Sequence, residues 1–144
     1  MLPLNADQLR WFVEHAGLIV AAPFLAGFLI IMGLRASKTL SMMASIGAVA
    51  YGLVHSLIIF QALVTNQYGA PYFQQNIPWF VSSSFNLSVG VLVDNIAALM
   101  LIVVTAVSLL VQIYTHGYMR EDPGYSRFYA YLSLFTGSML GLVV

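Results

Sequence analysis

Long apolar runs alternate with short polar segments along this chain. Four predominantly apolar runs occupy residues 16–34, 40–64, 95–118 and 126–144. A helix of about 20 apolar residues crosses a hydrocarbon core about 30 Å thick. The pattern therefore predicts an all-α membrane protein with about four transmembrane helices at these positions.

The segment between the second and third runs has a different period. Apolar residues there alternate with other residues on both sides of a serine-rich turn: Ile77, Trp79, Val81, Phe85, Leu87, Val89 and Val91. A period of two is typical of β-strands. We therefore expect a β-hairpin over residues 77–92, lying on the membrane surface, in which Pro78 confines the first strand to an edge.

The fourth run is barely long enough to cross a membrane before the sequence ends at Val144. We therefore expect residues 1–144 to form a single transmembrane region at the front of a larger helix bundle. Within the fourth run, Ser133, Gly137 and Gly141 recur every four residues. Such a row of small residues predicts a face at which another helix approaches closely.

The composition supports a membrane environment and excludes several classes of protein. The chain is 60% hydrophobic and 7% charged, whereas soluble domains carry about 25% charged residues. Lipid must therefore be its solvent. The absence of cysteine excludes disulfides and thiolate metal sites, and a net charge of zero argues against a nucleic-acid partner.

The distribution of cations predicts the orientation in the membrane. Four of the five cations flank the two short loops, at Arg35, Lys38, Arg120 and Arg127, and only Arg10 lies in the other extramembrane segments. Loops rich in Lys and Arg stay on the cytoplasmic side. This count places the N-terminus and the hairpin outside and the two short loops inside.

Charged residues mark both ends of the third run. Asp94 precedes the run and is expected to cap the third helix with its carboxylate; the alternative is a proton-exit acid. At the other end, Pro123 and Gly124 break the helix. The charges of this hinge either sense coupling from another subunit or, as such hinges more commonly do, anchor the topology in solvent: His116, Arg120, Glu121, Asp122 and Arg127.

Four polar residues inside the predicted helices are candidates for a proton path. His55 lies within the second run, where an ionisable side chain is a functional candidate. Thr105, Ser108 and Gln112 recur at helical spacing on one face of the third run. The alternative is ordinary hydrogen bonding between helices, which is the commoner use of such residues. No carboxylate or lysine shares the membrane segment with His55 to form a relay.

The sequence contains no motif for a catalytic centre. It has no metal-ligand spacing, no nucleophile with an adjacent base and no phosphate-binding loop. We therefore expect no catalytic, cofactor-binding or metal site within this chain.

Several short motifs in the second half resemble one known family. They are Val-Asp at residues 93–94, Tyr-Met-Arg at 118–120, Asp-Pro-Gly-Tyr-Ser-Arg-Phe at 122–128, Phe-Tyr-Ala-Tyr-Leu-Ser-Leu-Phe at 128–135 and Ser-Met-Leu-Gly-Leu-Val at 138–143. This stretch resembles the N-terminal region of the largest antiporter-like subunit of complex I-type NADH:quinone oxidoreductases. That subunit is called L in bacteria, and its counterpart in the NADH-dehydrogenase-like complex of cyanobacteria and plastids is called F. Asn-Ile-Ala at residues 95–97 departs from the Gly-Leu-Ser common in the respiratory form, so the chain looks closer to the cyanobacterial type.

The resemblance implies a membrane-arm subunit of a proton-pumping NADH- or ferredoxin:quinone oxidoreductase. It implies FMN or ferredoxin, iron–sulfur clusters and quinone in partner subunits, and other antiporter-like and small membrane subunits as neighbours. It also implies an energy-transducing membrane, either a bacterial plasma membrane or a thylakoid. The family's proton-path glutamate and lysines would lie beyond Val144, so no channel residue is carried over to this chain.

Two other functions remain open from the sequence. Related machines without NADH chemistry share this kind of front segment: cation/proton antiporters, membrane-bound hydrogenases and inorganic-carbon uptake complexes. The second alternative is a free-standing four-helix membrane protein with a structural role.

Overall fold

The computed structural model describes residues 6–33, 37–65, 72–82 and 85–144. Two features of the sequence interpretation lie outside these residues: the end of the first run at Leu34 and the loop cation Arg35. The chain is mostly helical and carries one pair of strands, in the order α1 (Ala6–Glu14), α2 (Gly17–Met32), α3 (Lys38–Val64), β1 (Tyr72–Ser82), β2 (Phe85–Asp94), α4 (Asn95–Tyr118) and α5 (Tyr125–Val143).

Helix α1 is an element that the apolar pattern did not indicate. It ends in a tight turn before α2, in which the Ala16 amide donates to the Val13 carbonyl at 3.2 Å and the Leu18 amide to the His15 carbonyl at 2.9 Å. These are bonds between residues three apart, as in a 3₁₀ turn. Val13, Ala16 and Ile19 are fully buried, so one buried face continues from α1 through the turn into α2.

Helices α2 to α5 pack around a common interior. Helix α2 lies against α3 and α5, and α4 lies against the same two helices. The beginning of α3 meets the hinge between α4 and α5, because Lys38 Nζ donates to the Arg120 and Asp122 carbonyls. Since α3 starts where α4 ends, these two helices run in opposite directions.

Within the described residues, two helices are long and apolar enough to cross a membrane, namely α3 and α4, and α2 is a shorter apolar helix. The surface of the bundle is apolar: Leu142 is 88% exposed and Ile96 is 72% exposed. The interior instead contains small polar residues that are nearly or fully buried: Ser41, Ser45, Ser56, Thr105, Ser133 and Thr136. An apolar exterior around a partly polar interior is the arrangement expected of helices solvated by lipid.

Glycines bring α2 and α5 into close contact. A Cβ atom on Gly27 would lie 2.9 Å from the Leu134 side chain, and one on Gly137 would lie 2.9 Å from the Phe24 ring. Gly141 has more room, because its Cβ would lie 3.5 Å from Val20. Gly137 and Gly141, two members of the predicted row of small residues on α5, therefore face α2.

The two strands form an antiparallel pair whose register joins Tyr72 to Asp94 and Ser82 to Phe85. The pairing is longer than the 77–92 expected from the sequence. Its register is irregular between Pro78 and Phe80, next to the proline that lacks an N–H group for the ladder.

The base of the strand pair is attached to the bundle. Val93 is fully buried in the larger apolar cluster, and the Leu92 amide donates to the Val144 carbonyl at 3.1 Å. The strand pair therefore continues directly into the end of the bundle opposite the hinge.

A large side chain at Gly137 should disrupt the contact between α2 and α5. Gly137→Leu forces the Phe24 ring away, and overpacking of this kind costs about 1–3 kcal/mol. We expect a lower thermal unfolding midpoint for the detergent-solubilised protein and less protein in the membrane. Leu142→Phe is the matched control, since Leu142 points outward one residue beyond Gly141. Equal tolerance of both variants would show that the α2–α5 contact does not determine stability.

Candidate functional site

His55 joins α3 to α1 through a hydrogen bond of its ring. Its ring is 1% exposed, and its Nε2 lies 2.8 Å from the Phe12 carbonyl oxygen. Because a carbonyl only accepts, Nε2 carries the proton and donates. Nδ1 then accepts from the Tyr51 hydroxyl at 3.2 Å. Both ring nitrogens of a neutral imidazole are thereby satisfied.

The turn between α1 and α2 explains why the Phe12 carbonyl needs this partner. In a continuous helix it would accept from the Ala16 amide four residues later. The Ala16 amide bonds to the Val13 carbonyl instead, which leaves the Phe12 carbonyl without a bond inside its helix. His55 supplies the missing donor from α3.

The three candidates on α4 have different surroundings. Thr105 is fully buried, and its hydroxyl donates to the Leu101 carbonyl of its own helix at 2.7 Å. Ser108 lines an apolar cleft of about 440 Å³ between α4 and α5. Only Gln112 places polar side-chain atoms in the interior with no hydrogen-bond partner in the described part of the chain.

Gln112 lies close to polar groups that link the helices in the half of the bundle nearer the hinge. Its backbone carbonyl accepts from the Tyr129 hydroxyl at 2.7 Å, which links α4 to α5. A hydrogen bond between the Ser45 and Ser133 hydroxyls links α3 to α5. Sequence reasoning missed Tyr129 and Ser45 as contact residues, whereas Ser133 belongs to the row of small residues that predicted a close contact with another helix.

The structure does not combine these residues into a chain of titratable groups. Between Lys38 and His116, the helical segments contain His55 as their single histidine, lysine, arginine or carboxylate apart from the cap Asp94. The buried hydroxyl groups of the helices donate mainly to backbone carbonyls of their own helices. This arrangement can hold helices together, but by itself it offers no second proton acceptor within the hydrocarbon.

Lys38 organises the hinge between α4 and α5, and the sequence interpretation used it only as a topology signal. Its Nζ donates to the Arg120 carbonyl at 3.2 Å and to the Asp122 carbonyl at 3.1 Å. The same nitrogen lies 5.8 Å from the centre of the Tyr125 ring. Lys38 therefore fixes the start of α3 against the end of α4 and the start of α5.

The five predicted hinge residues have different positions around Lys38. His116 Nδ1 is hydrogen bonded to the Tyr125 hydroxyl at 2.9 Å. Asp122 Oδ1 accepts from the Gly124 amide at 2.6 Å and so shapes the turn into α5. Arg120, Glu121 and Arg127 have exposed side chains.

A cavity of about 280 Å³ opens between the start of α3 and the hinge, lined by Lys38, Thr39, Met42, His116, Arg120 and Tyr125. Arg127 belongs to a separate cavity with Pro123, Gly124 and Ser126. The structure therefore brings His116 and Arg120 together with Lys38 and leaves Arg127 apart.

Asp94 occupies the position immediately before α4. Its Oδ1 accepts a hydrogen bond from the Ala97 amide at 2.6 Å, as an N-cap carboxylate does. In the register of the strand pair, Asp94 is the residue opposite Tyr72, at the open end of the pair. The residue thus lies at the junction between the strands and α4. Among the described residues, no group of three His, Asp or Glu side chains lies close enough to hold a metal ion.

Sequence comparisons identify similar proteins. Residues 79–129 match the family described as NADH-Ubiquinone oxidoreductase (complex I), chain 5 N-terminus. The chain is 53% identical over 90 residues to NAD(P)H-quinone oxidoreductase chain 5 of Synechocystis sp., an alignment that covers 62% of this chain and 13% of that protein.

Two further relatives align with nearly the whole chain. NAD(P)H-quinone oxidoreductase subunit 5, chloroplastic, of Chlorokybus atmophyticus is 39% identical over 143 residues, which cover 94% of this chain and 21% of that protein. Chain 5 of Picosynechococcus sp. is 40% identical over 143 residues, which cover 90% of this chain and 20% of that protein. The chain spans about a fifth of the length of these two relatives.

Replacing Gln112 by leucine should stabilise the bundle. The substitution removes two buried polar atoms that lack partners, and such atoms cost about 1–3 kcal/mol each. We expect a higher thermal unfolding midpoint for the solubilised protein. Thr105→Val is the matched control on the same face, because it removes a hydroxyl that is already bonded. A lower midpoint for Gln112→Leu would mean that its amide has partners outside the described residues.

Proposed function

Since the chain belongs to the complex I chain 5 family, we propose that it is the N-terminal portion of a membrane-arm subunit in a proton-pumping NAD(P)H- or ferredoxin:quinone oxidoreductase. The observation that carries the proposal is the alignment over nearly the whole chain with proteins named NAD(P)H-quinone oxidoreductase chain 5 or subunit 5. The apolar exterior of the bundle supports a membrane location.

Within such a subunit, this portion acts as a wall and an outer lid of the ion path and does not form the path itself. A proton path through hydrocarbon needs ionisable groups along it, because an isolated charge there is costly. His55 is engaged on both nitrogens by Phe12 and Tyr51. The buried hydroxyl of Thr105 is bonded to its own helix. These contacts support a structural role for the candidates on α3 and α4.

The proposed topology has four crossings, with the N-terminus and the strand pair outside. Lys38 and the hinge lie together at one end of the bundle, which supports a common inner side for the two short loops. Asp94 and the base of the strand pair lie at the other end. The four helices would form the front of a larger bundle.

The rest of the oxidoreductase supplies the redox chemistry. FMN or ferredoxin, iron–sulfur clusters and quinone belong to partner subunits, and other antiporter-like and small membrane subunits surround this one. The plastid and cyanobacterial relatives favour a thylakoid or related energy-transducing membrane.

Purification of the native complex through a tag on this protein tests the proposal. We expect subunits with iron–sulfur motifs to co-migrate on a native gel, and the band to reduce a soluble quinone with NAD(P)H or reduced ferredoxin. A complex without iron–sulfur subunits would support an antiporter or carbon-uptake machine instead. Migration of this protein without any partner would support a structural membrane protein and contradict the proposal.

Reporter fusions test the orientation separately. The cation distribution predicts that a reporter after Lys38 or after Arg120 is on the inner side and that one after Gln75 is outside. Alkaline phosphatase and a fluorescent protein at the same positions give opposite readouts and serve as mutual controls. An inner location for the reporter at Gln75 would reverse the topology.

A further inference from the structure

We propose that the cavity between the start of α3 and the hinge binds the phosphate headgroup of an anionic phospholipid in the inner leaflet. This inference rests on the proposed membrane location and topology and is independent of the identity of the redox partners. The cavity is the one of about 280 Å³ lined by Lys38, Thr39, Met42, His116, Arg120 and Tyr125.

The lining has the charge and the hydrogen-bond donors that a phosphate requires. Lys38 and Arg120 contribute an ammonium and a guanidinium group, and no carboxylate is among the described residues that line the cavity. Thr39 contributes a hydroxyl, and His116 contributes a ring. An arginine can donate two parallel hydrogen bonds to a phosphate, and a lysine acts as a point charge. These groups come from α3 and from the end of α4, so a ligand would bridge two elements.

The two nearest carboxylates do not neutralise this lining directly. Asp122 Oδ1 is held by the Gly124 amide at 2.6 Å, and Glu121 has an exposed side chain. Neither residue lines the cavity. The local excess of positive charge therefore remains available to an anion.

Lys38 is already oriented for binding. Two of its ammonium hydrogens are used by the Arg120 and Asp122 carbonyls, which leaves one of its three donors. His116 is likewise held by the Tyr125 hydroxyl. Little side-chain entropy remains to be lost when a ligand binds, and such preorganisation favours affinity.

The depth of the cavity favours a lipid over a free anion. It lies where α3 begins and α4 ends, and both helices are long and apolar enough to cross a membrane. Its position therefore matches the headgroup level of the bilayer. Met42 lines it on the side of α3 that continues into the membrane. Basic pockets between transmembrane helices on the inner side are suited to acidic lipid headgroups.

Binding of phosphatidylglycerol to the delipidated native complex tests the proposal. The probe is added in detergent, and bound lipid is counted by native mass spectrometry. We expect saturable binding, with Arg120→Gln weakening it about fivefold, since one cation near an anionic lipid surface contributes about 1 kcal/mol. Lys38 donates to the backbone carbonyl of Arg120, so the substitution leaves this hinge hydrogen bond in place.

Arg127→Gln is the matched control, because it removes one hinge cation outside the cavity. We expect it to change phosphatidylglycerol binding less than twofold. Phosphatidylcholine, which is zwitterionic, should bind more weakly than phosphatidylglycerol. Inorganic phosphate should compete poorly, whereas displacement of the lipid by equimolar phosphate would identify a free-anion site. Equal losses in Arg120→Gln and Arg127→Gln, or no saturable binding, would overturn the proposal.

Discussion

The absence of water around its helices constrains this fold more than any single contact does. In hydrocarbon, every backbone and hydroxyl group must find its partner inside the protein. The buried hydroxyls of Ser56, Thr105 and Thr136 accordingly donate to carbonyls four residues earlier in their own helices. Apolar burial cannot drive one helix against another when both are already in lipid. Close approach at Gly27 and Gly137 and a few polar links between helices therefore hold the bundle together.

The exceptions to regular helical bonding show how strict this constraint is. Pro23 lacks the amide that would bond to the Ile19 carbonyl in α2, and Gly52 of α3 packs against that part of α2. The turn between α1 and α2 leaves the Phe12 carbonyl without a helical donor, and His55 provides one. The interruption between α1 and α2 thus faces a residue of α3 that supplies the missing donor. On this basis His55 holds α3 against α1 through a hydrogen bond of its neutral ring. A conservative replacement of His55 must retain a donor at the position of Nε2.

The sequence predicts those features of this chain that depend on local pattern, and it fails where two distant segments meet. Apolar run length marks the positions of helices α2 to α5, of which α3 and α4 are long and apolar enough to cross a membrane. Alternation marks the strand pair, and Asp94 precedes α4 because a carboxylate satisfies free amides at a helix start. Helix α1 was not predicted because its charged residues Asp7, Arg10 and Glu14 obscure the apolar pattern of its buried face. That face continues into α2. The contact between Lys38 and the hinge spans more than 80 residues, and no local pattern encodes it. The unpartnered amide of Gln112 is likewise visible only once the neighbouring helices are in place.

Lys38 shows how one residue can meet two physical requirements at once. As a cation next to a transmembrane segment, it biases its loop towards the inner side of the membrane. At the first position of α3, its charge is unfavourable for the positive end of its own helix dipole. The side chain avoids that end by reaching the carbonyls of Arg120 and Asp122, just beyond the end of α4. Cations are favourable near helix C-termini, where carbonyls lack helical partners. The charge on which the topology prediction rests therefore also closes the end of α4, so one side chain links the predicted orientation to the packing of this end of the bundle.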